Sequence, residues 1–133
     1  MKVIVCGSRD WTDESAVALV FLSLPRGSVV VHGACPTGAD AIAERIAPDF
    51  GFATLRYPAE WDRYGKSAGP RRNAAMLRAE HTPDSPVRAV FAFTADLRHS
   101  RGTRDCVERA VRAGILVRIV PPCALRIGGG AGA

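Results

Sequence analysis

Apolar residues in this chain form short unbroken runs, separated by longer stretches in which apolar positions recur every three or four residues. Residues 3–6 (VIVC) and 29–31 (VVV) do not alternate with polar residues, which is typical of strands buried on both faces of a parallel sheet. Later runs at 52–57, 87–93 and 115–120 predict three further strands. The pattern therefore predicts five strands.

The stretches between these runs predict helices. The first helix follows Thr12 or Asp13, either of which can serve as its N-cap, and Pro25 and Gly27 end it. Its core-facing stripe consists of Val17, Val20, Phe21 and Leu24. The first strand and this helix together form a complete βα unit.

Residues 29–40 (VVVHGACPTGAD) run from the second strand through a glycine-bearing turn into a helix. Thr37 and Asp40 have the spacing of a capping box, which predicts a helix that begins at Gly38; Pro48 is predicted to kink or end it. Because such a turn points free backbone N–H groups out of the sheet edge, it favours an anion, commonly phosphate. An ordinary βα loop with a good cap is the alternative interpretation.

The second half of the chain continues the alternation. Residues 58–69 are too polar and too rich in glycine for regular structure and are predicted to form a loop. Pro70 suits the first turn of a helix that runs to about Glu80. A second polar loop precedes a helix from about Thr103, which Gly114 ends.

Strands alternating with helices require right-handed crossovers and a parallel sheet covered on both faces. We predict an α/β fold, a Rossmann-like three-layer sandwich with a mainly parallel five-stranded sheet, formed by residues 1–122 as one domain. Residues 123–133, which end in IGGGAGA, are predicted to be a flexible C-terminal tail. Ligands of such sheets lie beyond the carboxyl ends of the strands. The loops that meet there are 7–11, 32–40, 58–69 and 94–103.

Basic residues collect in these loops. Arg71 and Arg72 lie in the first turn of one predicted helix, and Arg101 and Arg104 flank the start of another. Cations there oppose the helix dipole by about 0.3–1 kcal/mol each, a penalty that a bound anion would reverse. Solvation, or pairing with nearby carboxylates, is the alternative role for each arginine.

Other residues in these loops also have two possible roles. Trp61 can pack beneath the long loop or, beside Lys66, stack on a nucleobase. Asp40 can cap its helix or contact a ligand. His32 lies at a strand end, where hydrogen-bonded packing is the alternative to binding.

Composition narrows the class of partner. Of the 133 residues, 47% are hydrophobic and 23% charged, as in folded globular proteins, and the formal net charge of +5 favours anionic partners such as nucleotides or nucleic acid. The four cysteines are scattered without metal-site spacing, which predicts free thiols and no metal. No signal peptide or apolar span is recognisable, so we expect a cytoplasmic protein without membrane contact.

Four segments in a fixed order resemble the SLOG superfamily, and most closely its YspA-like branch of small bacterial and phage proteins. They are GSRDW at 7–11, HGACPTGAD at 32–40, PAEWDRYGKSAGPRRNAAM at 58–76 and SRGTRDCVERA at 100–110. The resemblance implies a Rossmann-like domain that binds nucleotides or their derivatives. It also implies a homo-oligomer, because SLOG relatives commonly self-associate.

The superfamily includes the LOG phosphoribohydrolases, which cleave the N-glycosidic bond of nucleoside 5′-monophosphates. Their R-K-x-x-M pattern is similar to Arg72, Asn73 and Met76, with Asn in place of Lys. Their G-G-x-G-T-x-x-E pattern is similar to the stretch around Gly102 and Thr103, which the resemblance makes the phosphate-binding pair.

The second pattern breaks at the residue that matters for catalysis. The catalytic glutamate falls on Cys106, with Asp105 one residue earlier, and Ser100 replaces a glycine. Cleavage passes through a cationic sugar that a carboxylate stabilises, which a neutral thiol cannot do. Binding is therefore the leading hypothesis and hydrolysis the alternative, with Arg72 and Asp105 as its catalytic residues.

The leading hypothesis is a sensor or carrier of a nucleotide-type ligand: a nucleoside phosphate, NAD or an ADP-ribose-type molecule. A second alternative is binding of single-stranded nucleic acid, since the related DprA proteins use a Rossmann-like domain for DNA. The predicted binding residues are Gly7, Ser8, Arg9, His32, Gly33, Gly38, Asp40, Trp61, Lys66, Arg71, Arg72, Asn73, Ser100, Gly102 and Thr103. No cofactor beyond such a nucleotide is predicted.

Overall fold

The computed structural model describes residues 1–123. This part of the chain contains five strands and five α-helices, with one helix between successive strands except between the third and fourth strands, where there are two. In chain order they are β1 (Lys2–Gly7), α1 (Glu14–Leu22), β2 (Val29–His32), α2 (Gly38–Ile46), β3 (Ala53–Arg56), α3 (Trp61–Tyr64), α4 (Ala68–Glu80), β4 (Ala89–Phe93), α5 (Arg101–Arg112) and β5 (Leu116–Val120). Short 3₁₀ turns lie at Ala47–Phe50, Gly65–Ser67 and Leu97–His99.

The five strands form one sheet in the order β3-β2-β1-β4-β5. Every neighbouring pair is parallel; Val3, for example, pairs with Val30 on one side and Ala89 on the other. The predicted Rossmann-like α/β sandwich is confirmed, with a sheet that is wholly parallel. The strand order reverses between β1 and β4, which places the expected ligand crevice at their carboxyl ends.

The two faces of the sheet carry separate cores. Phe21 of α1 and Ile42 of α2 pack with Val3 and other sheet residues on one face. Met76 of α4 packs with Ile4 and further apolar residues, including some from α5, on the other face. Because both faces are covered, the central strands are continuous apolar runs, which is the pattern that identified them.

Most predicted boundaries agree with the structure to within two residues. Pro48 ends α2 as predicted, since the chain continues there as a 3₁₀ turn. The prediction of an irregular loop at 58–69 is wrong, because α3, a 3₁₀ turn and the start of α4 lie within it. The segment gains contacts that local composition does not show: a cation–π contact joins Arg71 to Tyr64, and the Trp61 ring lies against Gly69.

The cysteines Cys6, Cys35, Cys106 and Cys123 are free thiols, the first two half-buried and the last two buried. Within residues 1–123, no helix has the length and apolar content needed to cross a membrane. The predicted flexible tail, apart from Cys123, lies outside the described residues.

Candidate functional site

Helices α2, α4 and α5 begin at the carboxyl edge of the sheet without a side-chain cap. By contrast, α1 is capped by Asp13, whose Oδ1 accepts a hydrogen bond from the backbone N–H of Ala16 at 3.3 Å. Uncapped first turns leave backbone N–H groups and the positive end of the helix dipole unmatched. This edge therefore attracts negative charge.

The start of α2 corrects the capping-box prediction. Thr37 is the N-cap residue, but its hydroxyl donates to the carbonyl of Arg9 at 2.9 Å. Asp40 accepts from the backbone N–H of Cys35 at 3.3 Å instead of reaching back to Thr37. The pattern located the helix start correctly, but the Thr37 side chain bonds to the loop after β1 and the Asp40 side chain to the loop after β2.

Two glycines let α2 approach the end of β1. A Cβ on Gly7 would lie 2.6 Å from both the Ala39 Cβ and the Phe93 carbonyl oxygen. Gly38 has φ +75°, and a Cβ there would overlap the backbone of Ser8. Both predicted binding glycines are therefore needed for packing, and the start of α2 is covered by the β1–α1 loop.

The first turn of α5 is open. The hydroxyl of Ser100, at the N-cap position, bonds to Ser8 Oγ at 2.7 Å and Thr94 Oγ1 at 3.0 Å, so it does not cap the helix. Gly102 is exposed, and a Cβ there would meet no atom within 4 Å. The N–H groups of Gly102 and Thr103 therefore have no side-chain cap, and Gly102 itself faces open space, while Thr103 is buried.

Arg72 ties three segments together at this edge. Its Nη1 donates to the carbonyls of Gly33 and Tyr57, the latter at 3.1 Å, and its Nε donates to Asn73 Oδ1 at 2.8 Å. A Cβ on Gly33 would overlap the guanidinium. Arg72 thus fixes the loop after β2 against the end of β3.

Asn73 links α4 to the first turn of α5. Its side chain is buried, and Nδ2 donates to the Gly102 carbonyl at 3.2 Å and to Asp105 Oδ2 at 2.9 Å. Asp105 Oδ2 also accepts from Arg109 Nε at 2.9 Å. Asn73 therefore positions the turn that carries the open N–H groups.

Cys106, which aligns with the catalytic glutamate of the LOG pattern, lies in the core. Cys106 is 1% exposed and packs with Ile4 and Met76 beneath the sheet. Its neighbour Asp105 faces the contact between α4 and α5, where Asn73 holds it. The chain thus places no carboxylate at the Cys106 position.

His32 and Asp40 lie inside the loop that follows β2. His32 Nε2 is 2.7 Å from Glu44 Oε1, and its Nδ1 accepts from the N–H of Ala34, a residue with φ 56°. Both ring nitrogens are thus engaged. Asp40 is 7% exposed, and its burial raises the pKa of its carboxyl despite the opposing influence of His32.

One oxygen of Asp40, Oδ1, has no hydrogen-bond partner among the described residues. Since this atom is fully buried, a ligand cannot reach it without movement of the loop. His32 and Asp40 therefore stabilise the conformation of the loop after β2 through hydrogen bonds on its buried side.

The aromatic side of the site is formed by α3. Trp61 is 46% exposed, and the guanidinium of Arg9 lies over its ring, 4.9 Å from the centroid. Arg71 lies 4.4 Å from the ring centroid of Tyr64. Lys66 is exposed in the following turn. These contacts bring predicted binding residues from two distant loops together.

Two cavities open at this edge. One, of about 290 Å³, lies between the loops that follow β1 and β4. The other, of about 280 Å³, adjoins the end of β3 and is strongly cationic. It is lined by Arg56, Tyr57, Pro58, Glu60, Tyr64, Ala68, Arg71, Arg72 and Ala75.

The structure groups the predicted residues into three sets. Ser8, Asn73, Ser100, Gly102 and Thr103 lie around the start of α5. Arg72 links Gly33 to this set through its hydrogen bond to Asn73. Arg9 contacts the Trp61 ring, Arg71 contacts the Tyr64 ring, and Lys66 is exposed in the turn after α3. The remaining predicted residues are half-buried or buried: Gly7, His32, Gly38 and Asp40. Thr94 and Tyr57, which contact this site, were missed, although each is a polar residue that directly follows a strand.

Across residues 1–123, no group of three or more His, Cys, Asp or Glu side chains could hold a metal ion.

Comparison with known proteins places this α/β architecture in a family. Residues 1–64 match the model of the YspA, cpYpsA-related SLOG family. The chain is also similar to the Gene 61 protein of Mycobacterium phage D29, with 37% identity over 125 residues that cover 87% of this chain and 93% of the relative. The chain belongs to the SLOG superfamily, within its YspA, cpYpsA-related family. At a coarse level, membership indicates a nucleotide-related small-molecule ligand.

Proposed function

We propose that this protein binds a nucleotide or nucleotide-derived ligand at the carboxyl ends of its strands and acts as a sensor or carrier. The phosphate would rest on the N–H groups of Gly102 and Thr103. The observation that carries this proposal is the open first turn of α5, from which the Ser100 hydroxyl is turned away. A free helix N-terminus of this kind is a common phosphate site.

The charges around α5 support the same ligand. Arg101 and Arg104 lie in the first turn, where cations oppose the helix dipole, and the chain has a net charge of +5. A bound phosphate would offset both effects. Arg72 acts indirectly, since its guanidinium is engaged with backbone carbonyls and positions the neighbouring loop.

The exposed ring of Trp61 is the surface we assign to the base. The guanidinium of Arg9 lies over this ring, 4.9 Å from its centroid, which supports the ring as a contact surface for another flat group. A nucleobase would take the place of Arg9 or stack beside it. His32 and Asp40 would shape the loop between phosphate and base.

Binding without hydrolysis is the form of activity we propose. Cleavage of the N-glycosidic bond needs a carboxylate close to the sugar. Asp105 is held by Asn73 and Arg109, and Cys106 replaces the LOG glutamate in the core. Single-strand binding, homo-oligomer formation and a cytoplasmic location stay predictions.

The proposal is tested by isothermal titration calorimetry with AMP, ADP and NAD against wild type and Gly102→Asp. A carboxylate at this turn would occupy the phosphate position while stabilising α5 through the helix dipole by about 0.3–1 kcal/mol. We expect Gly102→Asp to weaken binding at least tenfold without a lower melting temperature. The variant would then be at least as stable as wild type while its affinity for nucleotides is lower. Misfolding would therefore be excluded as the cause of the weaker binding.

The matched control is Ser85→Asp, which makes the same charge change at an exposed position before β4, at the opposite edge of the sheet. Its affinity for nucleotides should equal that of wild type. Equal affinity of Gly102→Asp and wild type would refute the phosphate position. If none of the three ligands gave heat at millimolar concentration, the proposed function would be wrong.

A further inference from the structure

Arginine side chains dominate the wall of the cavity at the end of β3. The described residues that line it include three arginines, Arg56, Arg71 and Arg72, and one carboxylate, Glu60. The Glu60 side chain is 63% exposed, and its ion-pair partner is Arg63, at 4.0 Å. Arg71 and Arg72 form no ion pair within the part of the chain that the structure describes. The cavity therefore carries an excess of positive charge.

The guanidinium of Arg71 is held in place while part of it stays free to donate. It lies 4.4 Å from the ring centroid of Tyr64, and its Nε donates to Ser67 Oγ at 3.1 Å. Its Nη1 and Nη2 have no hydrogen-bond partner among residues 1–123. The planar fork of arginine matches the oxygens of phosphate and carboxylate groups. Because Tyr64 and Ser67 already fix this fork, an anion would bind it at little further cost in side-chain entropy.

Arg72 and Arg56 add further donors at the same cavity. Arg72 is anchored through Nη1 and Nε, and its Nη2 has no hydrogen-bond partner in the described chain. Arg56 Nε lies 3.9 Å from Glu44 Oε1, and the Arg56 side chain is 62% exposed. Like charges that line one cavity repel each other, and an anion between them would reverse this effect.

The size and the remaining walls of the cavity narrow the class of anion. Its volume of about 280 Å³ lies just below the range of about 300–1,000 Å³ for drug-sized ligands, so it suits a small molecule. Pro58, Ala68 and Ala75 give it apolar surface, on which carbon atoms can pack. A small phosphate monoester has both the oxygens that the arginines bind and a carbon part for this surface.

We propose that this cavity is a second anion site, which binds a small phosphate monoester, or free phosphate with the same chemistry, separately from the nucleotide. The phosphate group would accept hydrogen bonds from Arg71 and Arg72, with Arg56 as a further donor. Because Arg72 also donates to the Gly33 carbonyl, a bound anion would help to fix the loop after β2. This second site does not depend on a nucleotide at the start of α5.

The experiment titrates ¹⁵N-labelled protein with glycerol 3-phosphate and with inorganic phosphate, and sodium chloride of equal ionic strength is the reference. We expect the Nε–H signal of Arg71 and the amide signal of Ala75 to move saturably, with a dissociation constant of about 1 mM or below, as two charge-assisted hydrogen bonds would give. Sodium chloride should leave both signals in place. Tighter binding of glycerol 3-phosphate supports the site and assigns it to esters, and equal affinity supports it and assigns it to free phosphate. No saturable change with either phosphate would overturn the site.

Ala75→Glu is the test variant. Ala75 is exposed, lines the cavity and lies four residues after Arg71 on α4, so the new carboxylate would lie on the same helix face as this arginine. An internal carboxylate would occupy the donors, and phosphate affinity should fall at least tenfold, roughly the worth of one charge-assisted hydrogen bond. Ala75→Gln, of equal shape but without the charge, is the matched control and should bind within about threefold of wild type. Equal affinity of the two variants would overturn the site.

Gly102→Asp and ADP distinguish this site from the start of α5. The changes that phosphate causes at Ala75 should persist in Gly102→Asp and in wild type saturated with ADP, because the two positions take different anions. If either Gly102→Asp or ADP abolished them, the cavity would belong to the nucleotide site and the second site would be wrong. If ADP did not bind at all, the proposed function would fail, while the titration of Gly102→Asp with phosphate would still test the second site.

Discussion

Gly33 and Arg72 form a contact that any larger residue at position 33 would break. A Cβ there would displace the guanidinium from the carbonyls of Gly33 and Tyr57. We expect Gly33→Ala and Arg72→Ala each to lower the free energy of unfolding by about 1–3 kcal/mol, since both leave the partly buried carbonyls of Gly33 and Tyr57 without this donor. Urea unfolding of each variant measures the loss.

The double variant provides the sharper test. Because both substitutions break the same hydrogen bonds, their combined cost should fall short of the sum by at least about 0.5–1 kcal/mol. Gly102→Ala, where a Cβ meets open space, is the control and should change stability by no more than about 0.5 kcal/mol. Strict additivity of the two costs would show that they act independently.

For single residues, the sequence predicted which side chains lie at the site more successfully than it predicted their hydrogen-bond partners. Arg72 and Asn73 stood out through their place in a familiar pattern, yet their partners are carbonyls and side chains from distant segments. Such contacts depend on the direction of a side chain after folding, which spacing along the chain does not encode. The capping pair Thr37 and Asp40 failed for the same reason.

At the scale of elements, long periodic helices and unbroken apolar strands were predictable and the four-residue helix α3 was not. A helix of this length has almost no stability of its own. The contact between Arg9 and Trp61 and the approach of Trp61 to Gly69 hold it in place. Both contacts join α3 to segments that local composition cannot reveal.

The exposed ring on α3 gives a spectroscopic prediction. If a nucleobase stacks on Trp61, the fluorescence of this ring should change on titration with ADP, with a midpoint that matches the calorimetric dissociation constant. Trp11 is buried in the core and should contribute an unchanged background. Trp61→Phe keeps an aromatic face and serves as the test variant.

In Trp61→Phe the fluorescence response should disappear, while ADP still binds within about tenfold of wild-type affinity because stacking is worth about 1–3 kcal/mol per base and Phe retains part of it. A response of equal size in this variant would place the base elsewhere. An unchanged response could then come only from Trp11, the second tryptophan of the chain.

At the scale of the whole molecule, the alternation of strands and helices predicted the architecture because right-handed crossovers leave few arrangements of five parallel strands. The strand order β3-β2-β1-β4-β5 then brings the loops after β1, β2, β3 and β4 to one edge. The sequence could name these loops in advance. Which of them lie next to one another depends on pairing between distant segments, as in the ring formed by Ser8, Thr94 and Ser100.

A titration of ¹⁵N-labelled protein with ADP, followed by amide chemical shifts, tests the proposed phosphate position at the start of α5. The phosphate position predicts the largest changes at the N–H groups of Gly102 and Thr103, with smaller ones at Gly33. Gly51 and Ser85, at the opposite edge of the sheet, should not move. If the largest changes fell at that opposite edge, or if millimolar ADP caused no change, the phosphate would not bind at the start of α5.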